Sequence, residues 1–216
     1  MFQGSSPFSD YVDATFLTIV GVSLLVLLGL LIAMVYFVIR YSRKRNPHPT
    51  NIEGNVPLEI TWTVIPLALF MGMFYLGWEG YRQMSTIPEG AIPVNATARM
   101  WQWTFEYPNG VTTDTLYVPY AAPVKISIRS LDVNHSLYIP AFRIKKDAIP
   151  NRVNTMWFKT PRIASYDVAC AEYCGLQHSY MYTKVVSMDS TAFERWYQAA
   201  SARQSKTYEP ILLSKN

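Results

Sequence analysis

Two long uncharged runs occupy the first part of the chain. Residues 14–39 contain no Asp, Glu, Lys or Arg, and residues 60–78 form a second run of this kind. A bilayer core about 30 Å thick needs about 20 apolar helical residues to cross it. No Lys or Arg precedes Arg40, so the positive first region of a cleaved signal peptide is missing. The pattern predicts a transmembrane α-hairpin of two helices, residues 14–39 and 58–80.

From about Ile92 the pattern changes to short runs with a period of two residues. Aromatic and polar side chains alternate in residues 101–107, and aliphatic and polar ones alternate in residues 124–128. Residues 153–158 and 180–186 are also strand-like, and Pro and Gly cluster between these runs. Short strands separated by frequent turn signals predict an all-β sandwich.

A short helix is the last predicted element. Thr191 and Glu194 have the spacing of a capping box, and Phe193, Trp196 and Tyr197 would share one helix face. The predicted organisation, in chain order, is an N-terminal segment 1–13, membrane helix 14–39, loop 40–57, membrane helix 58–80, β-sandwich domain 81–203 with the short C-terminal helix, and tail 204–216.

Composition and charge agree with a membrane-anchored chain. Half of the 216 residues are hydrophobic and 16% are charged, against about 25% in soluble domains. Four basic residues lie within residues 40–45, whereas residues 1–13 carry two aspartates and no Lys or Arg. The positive-inside bias predicts a cytoplasmic loop, with the N-terminus and the C-terminal domain on the outer side. We expect the periplasmic side of a bacterial-type plasma membrane, with the mitochondrial inner membrane as the alternative.

Both cysteines of the chain lie in one segment, residues 170–181, which reads CAEYCGLQHSYM. A disulfide is the first interpretation of two thiols outside the cytoplasm, but a Cys-x3-Cys bridge closes a very small loop and would stabilise little. Two thiols, an imidazole and a thioether are soft ligands that suit copper. A single blue-copper site uses one thiolate, so two thiolates indicate two bridged copper ions, each of which needs its own imidazole.

A second histidine must therefore exist, and the sequence offers two candidates. His48 lies in the predicted cytoplasmic loop, on the wrong side of the membrane. His135 lies between two strand-like runs of the outer domain. We therefore predict that His135 completes the site with His178.

With His135 included, the chain resembles subunit II of the haem-copper cytochrome c oxidases over nearly its whole length. The resemblance implies a cupredoxin-like β-sandwich with a dinuclear mixed-valence copper centre, CuA. In that family both cysteines bridge the coppers, and each histidine binds one copper. The methionine sulfur and the glutamate backbone carbonyl are weak axial ligands. The matching positions here are His135, Cys170, Glu172, Cys174, His178 and Met181.

The resemblance also implies a function in respiration. Such a subunit accepts electrons from cytochrome c and passes them to haem in subunit I, where dioxygen is reduced to water with proton translocation. The implied partners are oxidase subunit I, subunit III, cytochrome c and membrane lipid, and no nucleic acid is expected. No Cys-x-x-Cys-His occurs, so no c-type haem is fused to this chain.

Three further residues receive roles from the resemblance. Trp101, the first aromatic of a Trp-x-Trp motif, would be the residue at which electrons enter. Its alternation with the aromatic residues that follow also fits a simple core position. Glu59, at the start of the second span, would mark the mouth of a proton path into subunit I, and a solvated helix end is the plain alternative. The carboxylate of Glu172 would bind magnesium at the interface with subunit I.

Other functions stay open at this level. A nitrous oxide reductase uses the same copper centre, and a thioredoxin-type copper chaperone also has Cys-x3-Cys with a distant histidine. A structural disulfide domain is the non-redox alternative. Residues 80–216 contain 15 basic and 10 acidic side chains, and this excess of positive charge favours a near-neutral or acidic electron donor over a strongly basic one.

Overall fold

The computed structural model describes residues 6–51 and 53–207. Two long helices come first, α1 (Ser9–Arg40) and α2 (Val56–Ser85). At 1.5 Å per residue each is about 45 Å long or more, which exceeds a bilayer core of about 30 Å. Both are apolar enough to cross a membrane. The predicted hairpin of two membrane helices is therefore confirmed, and both helices extend beyond the predicted apolar spans.

The start of α2 is built by a local cap. The backbone N–H of Leu58 donates to the side-chain oxygen of Asn55 at 3.1 Å, and the N–H of Glu59 donates to the Asn55 carbonyl at 2.9 Å. Such a cap satisfies N–H groups that have no partner within the helix. Glu59 thus lies in the first turn, where the helix dipole favours a carboxylate.

Ten strands follow in the described part of the chain, and they form two five-stranded sheets. The strands are β1 (Ile92–Arg99), β2 (Gln102–Glu106), β3 (Thr112–Thr113), β4 (Leu116–Pro119), β5 (Pro123–Ser130), β6 (His135–Ile139), β7 (Ile144–Ala148), β8 (Asn154–Lys159), β9 (Ser165–Cys170) and β10 (Tyr182–Met188). The first sheet has the order β3-β2-β1-β5-β8, and the second has the order β4-β10-β9-β6-β7.

The core lies between these sheets, and period-two burial produces it. In β5 the side chains of Val124, Ile126 and Ile128 are almost completely buried, whereas those of Lys125 and Ser127 lie on the other face. Fully burying such aliphatic side chains stabilises a fold by about 1.5–3 kcal/mol each. The predicted all-β sandwich is confirmed.

The aromatic run of residues 101–107 is divided by the start of β2. Trp103, Phe105 and Tyr107 are buried in the core. Trp101 precedes the strand, in a turn, and is only half-buried. The single aromatic face expected from the alternation therefore holds for three of the four side chains.

A C-terminal helix, α3 (Ser190–Thr207), follows the sandwich. Its cap is Asp189, whose carboxylate accepts hydrogen bonds from the backbone N–H and the hydroxyl of Thr191. The expected capping box starting at Thr191 is therefore wrong, because the helix begins before it. Phe193, Trp196 and Tyr197 contact one another, and Trp196 and Tyr197 also contact the Tyr107 ring. Residues 204–207 are helical rather than part of a tail, and residues 208–216 lie outside the described residues.

Candidate metal centre

The six predicted ligands come together at one end of the second sheet. Cys170 is the last residue of β9, and His135 is the first residue of β6. These strands are hydrogen-bonded neighbours, with Leu137 opposite Cys170. The pairing brings together two ligands that are 35 positions apart in the chain. The other ligands follow on the segment that connects β9 to β10.

The two thiols lie in the middle of the cluster. The sulfurs of Cys170 and Cys174 are 3.8 Å apart. The Nδ1 atom of His135 is 3.8 Å from the Cys170 sulfur, and the Nδ1 atom of His178 is 3.5 Å from the Cys174 sulfur. Each thiol therefore faces one imidazole.

Two weaker donors complete the set. The thioether sulfur of Met181 is 3.8 Å from the Cys174 sulfur. The backbone carbonyl oxygen of Glu172 is 3.4 Å from the Cys170 sulfur. The arrangement is nearly symmetric, with two central sulfurs, one imidazole for each, and one weak donor beside each.

The chemistry of this donor set fits a dinuclear copper centre. His135 and Met181 are completely buried, and Cys170 and Cys174 nearly so, so soft donors meet in a site from which water is largely excluded. Both cysteines are free thiols, and their sulfurs are much farther apart than the roughly 2.05 Å of a disulfide bond. Burial raises the pKa of the Cys174 thiol to about 12, with a further contribution from the neighbouring Cys170 thiol. Binding of a metal by Cys174 must therefore release its proton.

Asp132 orients His135, and this residue did not emerge from the sequence. Its Oδ1 atom lies 2.8 Å from His135 Nε2 and accepts from the N–H of Val133 at 2.7 Å. Its Oδ2 atom accepts from the N–H of Met100 at 2.6 Å. Partial burial acts to raise the pKa of Asp132, but these hydrogen bonds outweigh it and lower the pKa to about 2. A carboxylate on Nε2 leaves Nδ1 with its lone pair toward the sulfurs. The sequence signal that could have identified Asp132 is its position three residues before the candidate ligand His135.

Trp101 contacts the segment between β9 and β10 that carries most of the candidate ligands, called here the ligand segment. Its indole Nε1–H donates to the carbonyl oxygen of Cys174 at 3.1 Å. Gly175 has a φ of +112°, and a Cβ at this position would lie 3.4 Å from Trp101 Cζ2. A side chain there would be strained and would press on the indole. Trp101 is thus half-buried and in direct contact with the loop that carries the ligands. It is not the simple core residue that the alternation of residues 101–107 allowed.

The Glu172 carboxylate points to a lysine. Its Oε1 atom is 2.6 Å from Lys145 Nζ, and Asp147 lies 3.4 Å from the same ammonium group. The hydrogen bond to Glu172 is the main cause that raises the pKa of Lys145. Because the Lys145 ammonium group already occupies Oε1 of Glu172, this carboxylate is a poor fit for magnesium.

The segment from 171 to 181 presents uncharged side chains to solvent. Tyr173, Leu176 and Tyr180 are each more than 80% exposed. Glu172 is the one Asp or Glu in this segment, and the segment contains no Lys or Arg. This segment is therefore largely apolar and aromatic rather than strongly acidic. Glu59 belongs to the other structural unit, residues 11–81.

Comparison with known proteins agrees with the geometry. The family model "Cytochrome C oxidase subunit II, periplasmic domain" matches residues 111–188, and "Cytochrome C oxidase subunit II, transmembrane domain" matches residues 1–75. The first segment runs from β3 to β10 of the sandwich, and the second includes α1 and most of α2.

Individual relatives carry the same name. Cytochrome c oxidase subunit 2 of Cereibacter sphaeroides is 27% identical over 90% of this chain and 76% of its own length. The subunit 2 of Alkalihalophilus pseudofirmus is also 27% identical, over 89% of this chain and 60% of its own length.

A solved structure has a similar sandwich domain. The periplasmic domain of subunit II of cytochrome oxidase from Bradyrhizobium japonicum superposes with a TM-score of 0.53 at 26% identity. The superposition covers 55% of this chain and 99% of the Bradyrhizobium japonicum domain. The hairpin, the sandwich with its cluster of candidate ligands and both family matches show that the chain belongs to the subunit II family of the cytochrome c oxidases.

Proposed function

We propose that this chain is the electron-accepting subunit of a respiratory terminal oxidase. It takes electrons from cytochrome c and delivers them to haem in subunit I, where dioxygen is reduced to water with proton translocation. The observation that carries the proposal is the convergence of two buried thiols, two imidazoles, a thioether and a carbonyl within 3.4–3.8 Å contacts. Its family membership supports the same role.

The residues have separate tasks in this proposal. Cys170 and Cys174 would bridge two coppers, and His135 and His178 would each bind one. Met181 and the Glu172 carbonyl would be the weak ligands. A dinuclear copper centre supplies one-electron redox chemistry when it is bound. The chain's own contribution is rigidity, because hydrogen-bonded strands and buried side chains hold the donors in one arrangement.

Trp101 is the proposed point at which electrons enter. Its half-exposed ring lies at the surface, and its N–H bonds directly to the carbonyl of the ligand residue Cys174. The path from the surface to the site is thus one hydrogen bond long. The largely apolar ligand segment and the excess of positive charge favour a near-neutral or acidic cytochrome that docks by apolar contact.

The chain is anchored by two membrane helices. The basic loop between them supports a cytoplasmic position for that loop and a periplasmic position for the sandwich. Subunit I and subunit III are the expected neighbours. Glu59, in the first turn of α2, remains the proposed mouth of a proton path, and its N-terminal helix position explains why a carboxylate is stable there.

Copper content and spectroscopy of the full-length chain test the proposal. We expect two coppers per chain and the EPR spectrum of a delocalised mixed-valence pair. Cys174→Ser should leave at most a mononuclear site, because one bridge is gone. A single copper per wild-type chain, or a blue-copper spectrum, would contradict the proposal. Rapid mixing with reduced cytochrome c then measures electron acceptance, which a copper chaperone would not show.

A further inference from the structure

Lys145 connects the strand next to the site with the ligand segment. It lies in β7, and its ammonium nitrogen is 2.6 Å from the Glu172 carboxylate and 3.4 Å from the Asp147 carboxylate. The same Asp147 oxygen accepts a hydrogen bond from the Ser136 hydroxyl at 2.8 Å. Ser136 directly follows the ligand His135 in β6. The network therefore runs from the histidine strand to the loop that carries the axial carbonyl.

We propose that Lys145 is a positioning residue for the copper centre, which holds Glu172 so that its backbone carbonyl stays beside Cys170. We further infer that the Lys145 ammonium group takes the place of a divalent cation at this carboxylate. This inference rests on the proposed function, since it concerns the geometry of that centre.

The backbone around Glu172 explains why a side-chain contact matters here. The preceding residue, Ala171, is fixed to the sheet, because its N–H donates to the Ser136 carbonyl at 3.0 Å. The following residue, Tyr173, is 81% exposed. Glu172 is thus the point at which the chain leaves the sheet. Its side chain and its carbonyl share one Cα, so fixing the carboxylate restricts the direction of the carbonyl.

The partial exposure of Lys145 and Glu172 indicates that their ion pair positions Glu172 rather than stabilises the fold. The side chains of Lys145 and Glu172 are 43% and 44% exposed, and ion pairs at such sites contribute little to the free energy of unfolding. A positional role should therefore appear in the spectrum of the centre and not in the stability of the fold. This difference separates the proposal from a merely structural contact.

The charge of Lys145 also excludes a second cation from this carboxylate. Magnesium binds oxygen at about 2.0–2.1 Å and keeps several waters. An ion on the Glu172 carboxylate would lie within about 5 Å of the ammonium group by this geometry, and like charges repel at that distance. Glu172 and Asp147 share this one ammonium group, so the cluster keeps a single net negative charge, and the Glu172 Oε1 atom is already occupied by Lys145 Nζ.

The test uses the full-length chain loaded with copper alone. Lys145→Met keeps the length of the side chain and removes its charge. We expect two coppers per chain but an altered copper hyperfine pattern, because the Glu172 carbonyl would no longer be held beside Cys170. We also expect a lower midpoint potential, because the unpaired Glu172 carboxylate favours the oxidised form. Lys145→Arg should restore both properties.

Matched controls make the result specific. Lys146→Met removes the same charge from the adjacent residue, which points to the opposite face of β7, and it should match the wild type. Glu172→Gln removes the other half of the pair and should reproduce the altered hyperfine pattern, even if Lys145→Met folds poorly. An unchanged spectrum in both Lys145→Met and Glu172→Gln overturns the positioning role. A wild-type chain that binds no dinuclear copper overturns the proposed function as well.

Manganese tests the inference about the cation. Mn²⁺ can replace Mg²⁺ at oxygen sites and is visible by EPR. Oxidase purified with its other subunits from manganese-rich medium should contain no Mn²⁺ that depends on Glu172. Bound Mn²⁺ that disappears in Glu172→Gln would show that the carboxylate does hold a divalent cation, and would overturn this part of the inference.

Discussion

Replacing Asp132 by Asn should disturb the copper site through its histidine. The carboxylate accepts four hydrogen bonds, from the backbone N–H groups of Met100 and Val133, from His135 Nε2 and from the Ser130 hydroxyl. An asparagine of the same shape can offer its oxygen to one side only. Its NH₂ group must then face a donor. We expect His135 to lose its fixed orientation while the strands remain in place.

The structure sets the size of the effect on stability. The pKa of Asp132 is about 2 in the folded chain, against an ordinary value of 3.8. At about 1.4 kcal/mol per pKa unit, this difference corresponds to roughly 2 kcal/mol. The Asp132 side chain is only 25% exposed, so solvent screens the interaction weakly. Because the folded-state pKa is lowered, the stabilisation is present above pH 3.8 and is lost as the pH falls towards 2.

Two assays on the full-length chain check this prediction. Urea unfolding of the metal-free chain at pH 7 should show a loss of about 2 kcal/mol for Asp132→Asn, and the difference from wild type should vanish at low pH. Competition with a copper chelator should show an affinity about 10–100-fold lower, the usual cost of losing the partner of a ligating histidine.

Asp167→Asn is the matched control for this experiment. Asp167 lies in β9, three residues before Cys170, and its side chain is 79% exposed. It should change neither unfolding nor copper affinity. If Asp132→Asn behaves like this control, packing alone orients His135 and the argument from the carboxylate is wrong.

Five further changes have expected outcomes. Trp101→Ala should slow reduction by cytochrome c about 30-fold, the effect of losing an anchor worth about 2 kcal/mol, with the copper spectrum intact; rapid-mixing kinetics measures this. His135→Ala should abolish the dinuclear site and His48→Ala should leave it unchanged, as copper analysis will show. Copper added to the metal-free chain at pH 7 should release at least the proton of Cys174, whose pKa is about 12; an indicator dye detects it. Asp189→Ala should speed hydrogen exchange in the first turn of α3. Hydrogen bonds from Thr191 lower the pKa of Asp189, so this cap acts above pH 3.8 and is lost on further acidification.

Specific results would contradict these expectations. Normal reduction kinetics in Trp101→Ala would refute the electron path. Trp101→Phe keeps an aromatic ring but loses the indole N–H, so its reduction rate should fall between those of the wild type and Trp101→Ala. Loss of copper in His48→Ala would mean that the assigned membrane sidedness is wrong. No acidification on copper binding would show that Cys174 is already a thiolate. Unchanged exchange in Asp189→Ala would mean that α3 is held by its aromatic face alone.

The sequence alone determined the features that depend on local periodicity. An uncharged run of about 20 residues or more can satisfy its backbone in a bilayer only as a helix, so the hairpin follows without tertiary information. Alternation at 124–128 determines which side chains of a strand share a face, so the sandwich core follows too. The donors Cys170, Cys174, His178 and Met181 were also readable, because they lie within 12 residues of one another.

The tertiary structure decided everything that depends on which strands are neighbours. His135 meets Cys170 only because β6 pairs with β9, and Lys145 reaches Glu172 only because β7 continues the same sheet. Trp101 packs against the core without being fully buried in it, because β2 starts one residue after it. Such contacts are set by strand order and register, which side-chain periodicity does not specify. The orienting carboxylate of Asp132 and the lysine paired with Glu172 are therefore visible only in the folded chain.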